Sequence, residues 1–154
     1  MKKLLFIALI SFSLFLNAQI EPYCVNTYVS GTHPISLVEF AGINNASTNE
    51  YIFVFGGSAS GHQDFTSIEG NVIAGNSYPI TIKGNTRGDF NNNVSVFCDW
   101  NRDNDFFDAG ETYNIGNIVN STGIDDVQLV GAIQIPGNVT AGNVRMREIG
   151  RAHV

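Results

Sequence analysis

From about residue 19 onward, apolar and polar side chains alternate with period two in short runs. The runs are bounded by clusters of Gly, Asn, Ser and Pro, and no window carries a sustained helical stripe. The pattern predicts strands over Ile35–Ile43, Tyr51–Phe55, Ser77–Lys83, Val94–Trp100, Asp126–Ile135 and Val144–Arg147. Within the fourth run Val94, Val96, Cys98 and Trp100 share one face, while Ser95, Phe97 and Asp99 share the other. Turns are expected at Asn44-Asn45, Gly56-Gly57, Ala74-Gly75-Asn76, Gly84-Asn85, Pro136-Gly137 and Ala141-Gly142, residue types that accept positive φ. Asn91-Asn92-Asn93 reads as a further turn. Together these signals predict an all-β, two-layer antiparallel β-sandwich, jelly-roll-like.

The first 18 residues stand apart from this pattern. A basic start, Met1-Lys2-Lys3, leads into the apolar run Leu4 to Leu16, and Asn17-Ala18 follows. This is the layout of a secretory signal peptide over residues 1–18, cleaved after Ala18. As a helix the run rises only about 20 Å, short of a hydrocarbon core of roughly 30 Å. The mature chain is therefore expected to be secreted or held at a cell surface, with no membrane span after cleavage.

With 154 residues the chain has room for one domain. It carries 8 Lys and Arg against 14 Asp and Glu, a net charge of −6, and loss of Lys2 and Lys3 takes −6 to −8. That balance argues against a nucleic-acid partner. Three His and two Cys separated by 73 residues argue against a structural zinc site. Cys24 and Cys98 leave two readings open: a disulfide in an oxidising compartment, or a buried free thiol at Cys98.

The acid is concentrated. Five of the 14 carboxylates fall in the thirteen residues from Asp99 to Glu111. Oxygen side chains at Asp99, Asn101, Asp103 and Asp105 sit two apart, the spacing that lets a curled loop aim them at one hard cation. Counting Asp99 as the first position, Asn104 occupies the sixth, where a sharp turn is needed. Gly110 falls at the twelfth, so Asp108 or Glu111 would have to close the shell. The expected ligand set is Asp99, Asn101, Asp103, Asp105, Asp108 and Glu111. Calcium is the expected ion, because it accepts six to eight oxygens in irregular geometry.

The stretch from Val94 to Glu111 resembles the strand and acidic loop of the GEVED domain, a family of secreted and cell-surface bacterial proteins associated with type IX secretion. Tyr23-Cys24, Ile43 to Ser47, Gln63 to Thr66, Gly75 to Tyr78, Ile135-Pro136 and Val144 to Arg147 agree in order, so the resemblance covers roughly residues 23 to 147. It implies a non-catalytic accessory module for adhesion, ligand binding or support at a bacterial surface. The expected partner is an extracellular glycan or a surface protein. The alternative is a carbohydrate-binding region of a secreted hydrolase or protease whose catalytic part is missing. Oligomeric state is left open.

Two departures accompany the resemblance. Asn104 stands where the family usually has Gly, and the Gly-Glu-Val-Glu-Asp segment that names the family is absent. Ile149 to Val154 does not continue the strand pattern and reads as one translated frame of a widely used sequencing-library adapter. The sandwich domain is accordingly expected over residues 19–147, truncated, with a non-native tail over 148–154.

No catalytic residue is expected. His33 and His62 fall in loops without a nucleophile motif, Gly57 to Gly61 has Ala59 where a nucleophile elbow needs Ser, and Asp64 reads as a turn anchor. Trp100 alternates with the apolar face and is expected in the core.

Overall fold

The computed structural model describes residue 23, residues 31–51 and residues 62–153. It is all-β among the described residues, with seven strands: β1 Ile35–Phe40, β2 Ile43–Ala46, β3 Ser77–Gly84, β4 Asn91–Cys98, β5 Thr112–Val119, β6 Leu129–Gln134 and β7 Met146–His153. They form two antiparallel sheets, one ordered β2-β1-β3-β6 and the other β5-β4-β7. The inner faces of the two sheets share one core, so the molecule is a β-sandwich.

Alternation explains the core. On β4, Val94, Val96 and Cys98 are 1%, 0% and 1% exposed, and Trp100 just beyond the strand is 6% exposed. They pack with Val38 and Phe40 of β1, Ile80 and Ile82 of β3, Ile118 of β5, and Ile133 and Ile135 in and after β6. Cys98 is a free buried thiol, and burial pushes its pKa well above the ordinary thiol range. Cys24, most of the expected strand Tyr51–Phe55, the Gly57 to Gly61 stretch and the N-terminal leader lie outside the described residues.

The structure redraws several boundaries. The expected strand Ile35–Ile43 is a hairpin: Ala41 and Gly42 take φ of 48° and 96°, the left-handed pair of a type I′ turn, so β2 contains the Asn44-Asn45 expected as a turn. Asn91 to Asn93 open β4 instead of turning. Two of their amides bond within the fold: Asn92 Oδ1 meets His33 Nδ1 at 3.0 Å, and Asn93 Nδ2 donates to Asn114 and Asn117. β5 has no counterpart among the expected strands. Its alternation is broken where the register with β4 shifts between Val94 and Ser95, opposite Gly116 at φ 139°. Residues 149–153, set apart by their pattern, lie in β7, which pairs with β4 from Met146 opposite Cys98 to His153 opposite Asn91. No helix among the described residues is long and apolar enough to cross a membrane.

Candidate metal centre in the acidic loop

The loop between β4 and β5 begins where the core ends. Asp99 follows the last residue of β4, and its backbone N–H donates to the Arg145 carbonyl at 3.0 Å. Its side chain is 1% exposed and turns back into the loop. Oδ1 accepts the N–H groups of Arg102 at 2.6 Å and Asp103 at 3.2 Å, and Oδ2 accepts that of Asn104 at 3.0 Å. The Tyr23 hydroxyl also donates to Oδ2. Burial, then this hydrogen bond to the carboxylate, pushes the Tyr23 phenol well above its ordinary pKa. Asp99 thus curls the loop by collecting its amides. Arg102 and Asn104 both take left-handed φ, 63° and 75°, the conformation that the sixth position demands and that Asn tolerates best after Gly.

Glu111 performs the matching task at the other end. It is 2% exposed, and Oε1 accepts the N–H groups of Trp100 at 2.8 Å and Asn101 at 3.4 Å. Oε2 has no hydrogen-bond partner among the described residues. Burial pushes the Glu111 carboxyl upward, and the Asn101 and Trp100 amides pull the other way.

Between these anchors the remaining carboxylates gather. Asp103, Asp105 and Asp108 bring one ligand oxygen each to within 4.8 Å of one another. Asn101 is beside them: its Nδ2 donates to Asp103 Oδ2 at 2.9 Å and Asp108 Oδ2 at 2.5 Å. Neither Asp99 nor Glu111 joins the trio. The six expected ligands therefore divide into a triad, a bridging amide, and two carboxylates committed to the loop backbone. An acidic triad of this kind can hold a metal ion.

The side groups settle around the same loop. Phe106 stacks on Tyr23 with ring centroids 4.9 Å apart, and the Arg147 guanidinium lies 5.3 Å from the Phe106 ring. The Trp100 indole N–H donates to the Tyr113 hydroxyl at 3.0 Å, which satisfies its polar atom beside the core. Asp64 anchors a turn as expected, accepting the Thr66 N–H at 2.9 Å, and that bond holds its pKa below the usual value.

Neither curated proteins nor solved structures match the chain. A family model does, and its family is one of small β-domains, not a known enzyme family. The matched stretch, residues 93–152, carries most of β4, the acidic loop, β5, β6 and most of β7, and the family is the GEVED domain.

Proposed function

We propose that the chain is an exported, non-catalytic β-sandwich module whose acidic loop takes up a calcium ion, serving adhesion, ligand binding or support at a bacterial cell surface. The observation that carries the metal reading is the convergence of Asp103, Asp105 and Asp108 within 4.8 Å. Three carboxylates this close repel one another, and a divalent cation turns the repulsion into attraction. Calcium fits better than magnesium because the donors come from one short, irregular loop and not from an octahedral frame. Export rests on the leader sequence. The non-catalytic role rests on the match to a small β-domain family and on the way Asp99 and Glu111 are spent on backbone amides.

Differential scanning calorimetry of the mature chain tests the metal. A ligand that binds only the folded state at a hundred times its Kd adds about 2.7 kcal/mol, on the order of 10 °C in Tm for a domain of this size. Calcium should produce that rise over chelator, and Asp103→Ala should remove it. Identical curves in calcium and chelator would sink the reading.

A further inference from the structure

Beside the acidic loop a cleft of about 500 Å³ opens toward the segment that follows β6, lined among others by Trp100, Asp108, Glu111, Pro136, Asn138 and Val139. Its size suits a small organic ligand and far exceeds one ion. Two of its lining residues are carboxylates, and none is Lys, Arg or His. Arg102, the one cation of the acidic loop, donates instead to the Ala141 carbonyl at 3.4 Å.

The two carboxylates differ. Asp108 is exposed and meets whatever enters. Glu111 is 2% exposed, and its Oε2 is closed to solvent and has no partner among the described residues. Because Glu111 stands outside the Asp103, Asp105 and Asp108 trio, a metal held there leaves this charge without a direct partner. A carboxylate kept from water projects its field into the cleft with little screening. Apolar surface in the lining comes from Trp100, Pro136 and Val139, beside the amide and hydroxyl side chains of Asn101, Asn138 and Thr140. With its N–H taken by Tyr113, Trp100 has only carbon surface to offer.

We propose that this cleft binds an alkyl-ammonium group, of the kind a lysine side chain carries. Asp108 meets the ammonium, Glu111 supplies the buried counter-charge, and the Trp100, Pro136 and Val139 surface takes the stem. The proposal goes beyond the calcium reading and does not need it.

The chain has a single tryptophan, so its indole N–H resonance reports on the cleft. The mature protein is titrated with n-butylammonium, with Nα-acetyl-lysine methylamide and with neutral n-pentanol, once in saturating calcium and once in chelator. The two amines should shift the Trp100 signal saturably in chelator and, because Asp108 also belongs to the metal trio, more weakly in saturating calcium, and pentanol should not. The stronger of the two amines identifies the source, a peptide lysine or a free amine. Glu111→Gln keeps an acceptor for the Trp100 amide and removes the charge, and should weaken binding about tenfold or more. Asn138→Phe fills the cleft from an exposed position without adding a second indole and should abolish binding, which keeps the test decisive if the Glu111 variant does not fold. Wild-type affinity in the variants, equal binding of pentanol, or one-for-one displacement of the amine by calcium would overturn the proposal.

Discussion

Asp99 and Glu111 are the carboxylates that the acidic loop buries; both oxygens of Asp99 and Oε1 of Glu111 accept backbone N–H groups. A buried donor left without an acceptor costs about 1–3 kcal/mol. Asp99→Ala takes the acceptor from three part-buried N–H groups and from the Tyr23 hydroxyl, so it should lower unfolding free energy by about 2 kcal/mol or more. Urea titration in chelator measures this free of any metal effect. Asp103→Ala, at an exposed position, should cost less than 1 kcal/mol under the same conditions. The period-two run of oxygens singled out Asp99, Asn101, Asp103 and Asp105, and the need to close a shell added Asp108 and Glu111. What it could not show was their division of labour. Spacing along a chain brings Asp99, Asn101 and Asp103 near one another, but a curled loop also presents its own amides, and these compete with a cation for every carboxylate. Nearest the strand ends, the Asp99 carboxylate and Oε1 of Glu111 were taken by the backbone, and the carboxylates in the middle were left to converge.

Strands whose alternation runs unbroken, β3, β4 and β6, were legible as elements, and so was the inward face of Val94, Val96, Cys98 and Trp100. β5 was not, because its own bulge at Ile115 and Gly116, opposite Val94 and Ser95, shifts Ile118 out of phase with Tyr113 and Ile115, and a period-two reading loses the run. The most informative strand is β7. Its register sets Met146, Glu148 and Gly150 opposite the inward residues Cys98, Val96 and Val94, while Ile149 lies opposite Ser95 on the outer face. The polarity of residues 148 and 149 is thus inverted relative to the sheet, which is the break in pattern visible in the sequence. Burial pushes the Glu148 carboxyl up from its ordinary value of 4.5. The folded chain then holds this proton more tightly than the unfolded one. Its contribution is most favourable below pH 4.5 and is lost as pH rises from there through the folded value. Glu148→Val should add about 1–3 kcal/mol at pH 7 and little at pH 4. Urea midpoints for both proteins across that range give the difference directly. Because Asp64 and Asp125, held below their ordinary values, act with the opposite sign, the comparison with wild type is the readout. A gain that did not change with pH would place Glu148 in water.

At the scale of the whole molecule, the two sheets are not evenly spaced. Four strands lie over three, β6 packs against β5 along one edge, β7 approaches β1, and β2 extends beyond the three-stranded sheet. The β5/β6 edge is pinched. A Cβ added at Gly131 would lie 2.6 Å from Ile115 Cγ2, and one added at Gly116 would lie 3.1 Å from Leu129 Cδ1. The Ile115 methyl is fixed at a branched Cβ and cannot swing aside as a long side chain would. Gly131→Ala should therefore cost about 1–3 kcal/mol by overpacking. Gly137→Ala, where an added Cβ meets nothing within 4 Å, should be close to neutral. If the methyl is the cause, combining Gly131→Ala with Ile115→Ala should cost at least about 0.5 kcal/mol less than the sum of the two changes. The pinch also bears on the site. The acidic loop enters β5, and the segment lining the far side of the cleft leaves β6, so separating these strands widens the cleft between them. Gly131→Ala should loosen n-butylammonium binding while leaving the calcium-induced rise in Tm intact, since the Asp103, Asp105 and Asp108 trio lies wholly within one loop. Additive costs, or a calcium response lost together with the amine, would mean that the two sheets do not set the geometry of the cleft independently of the metal loop.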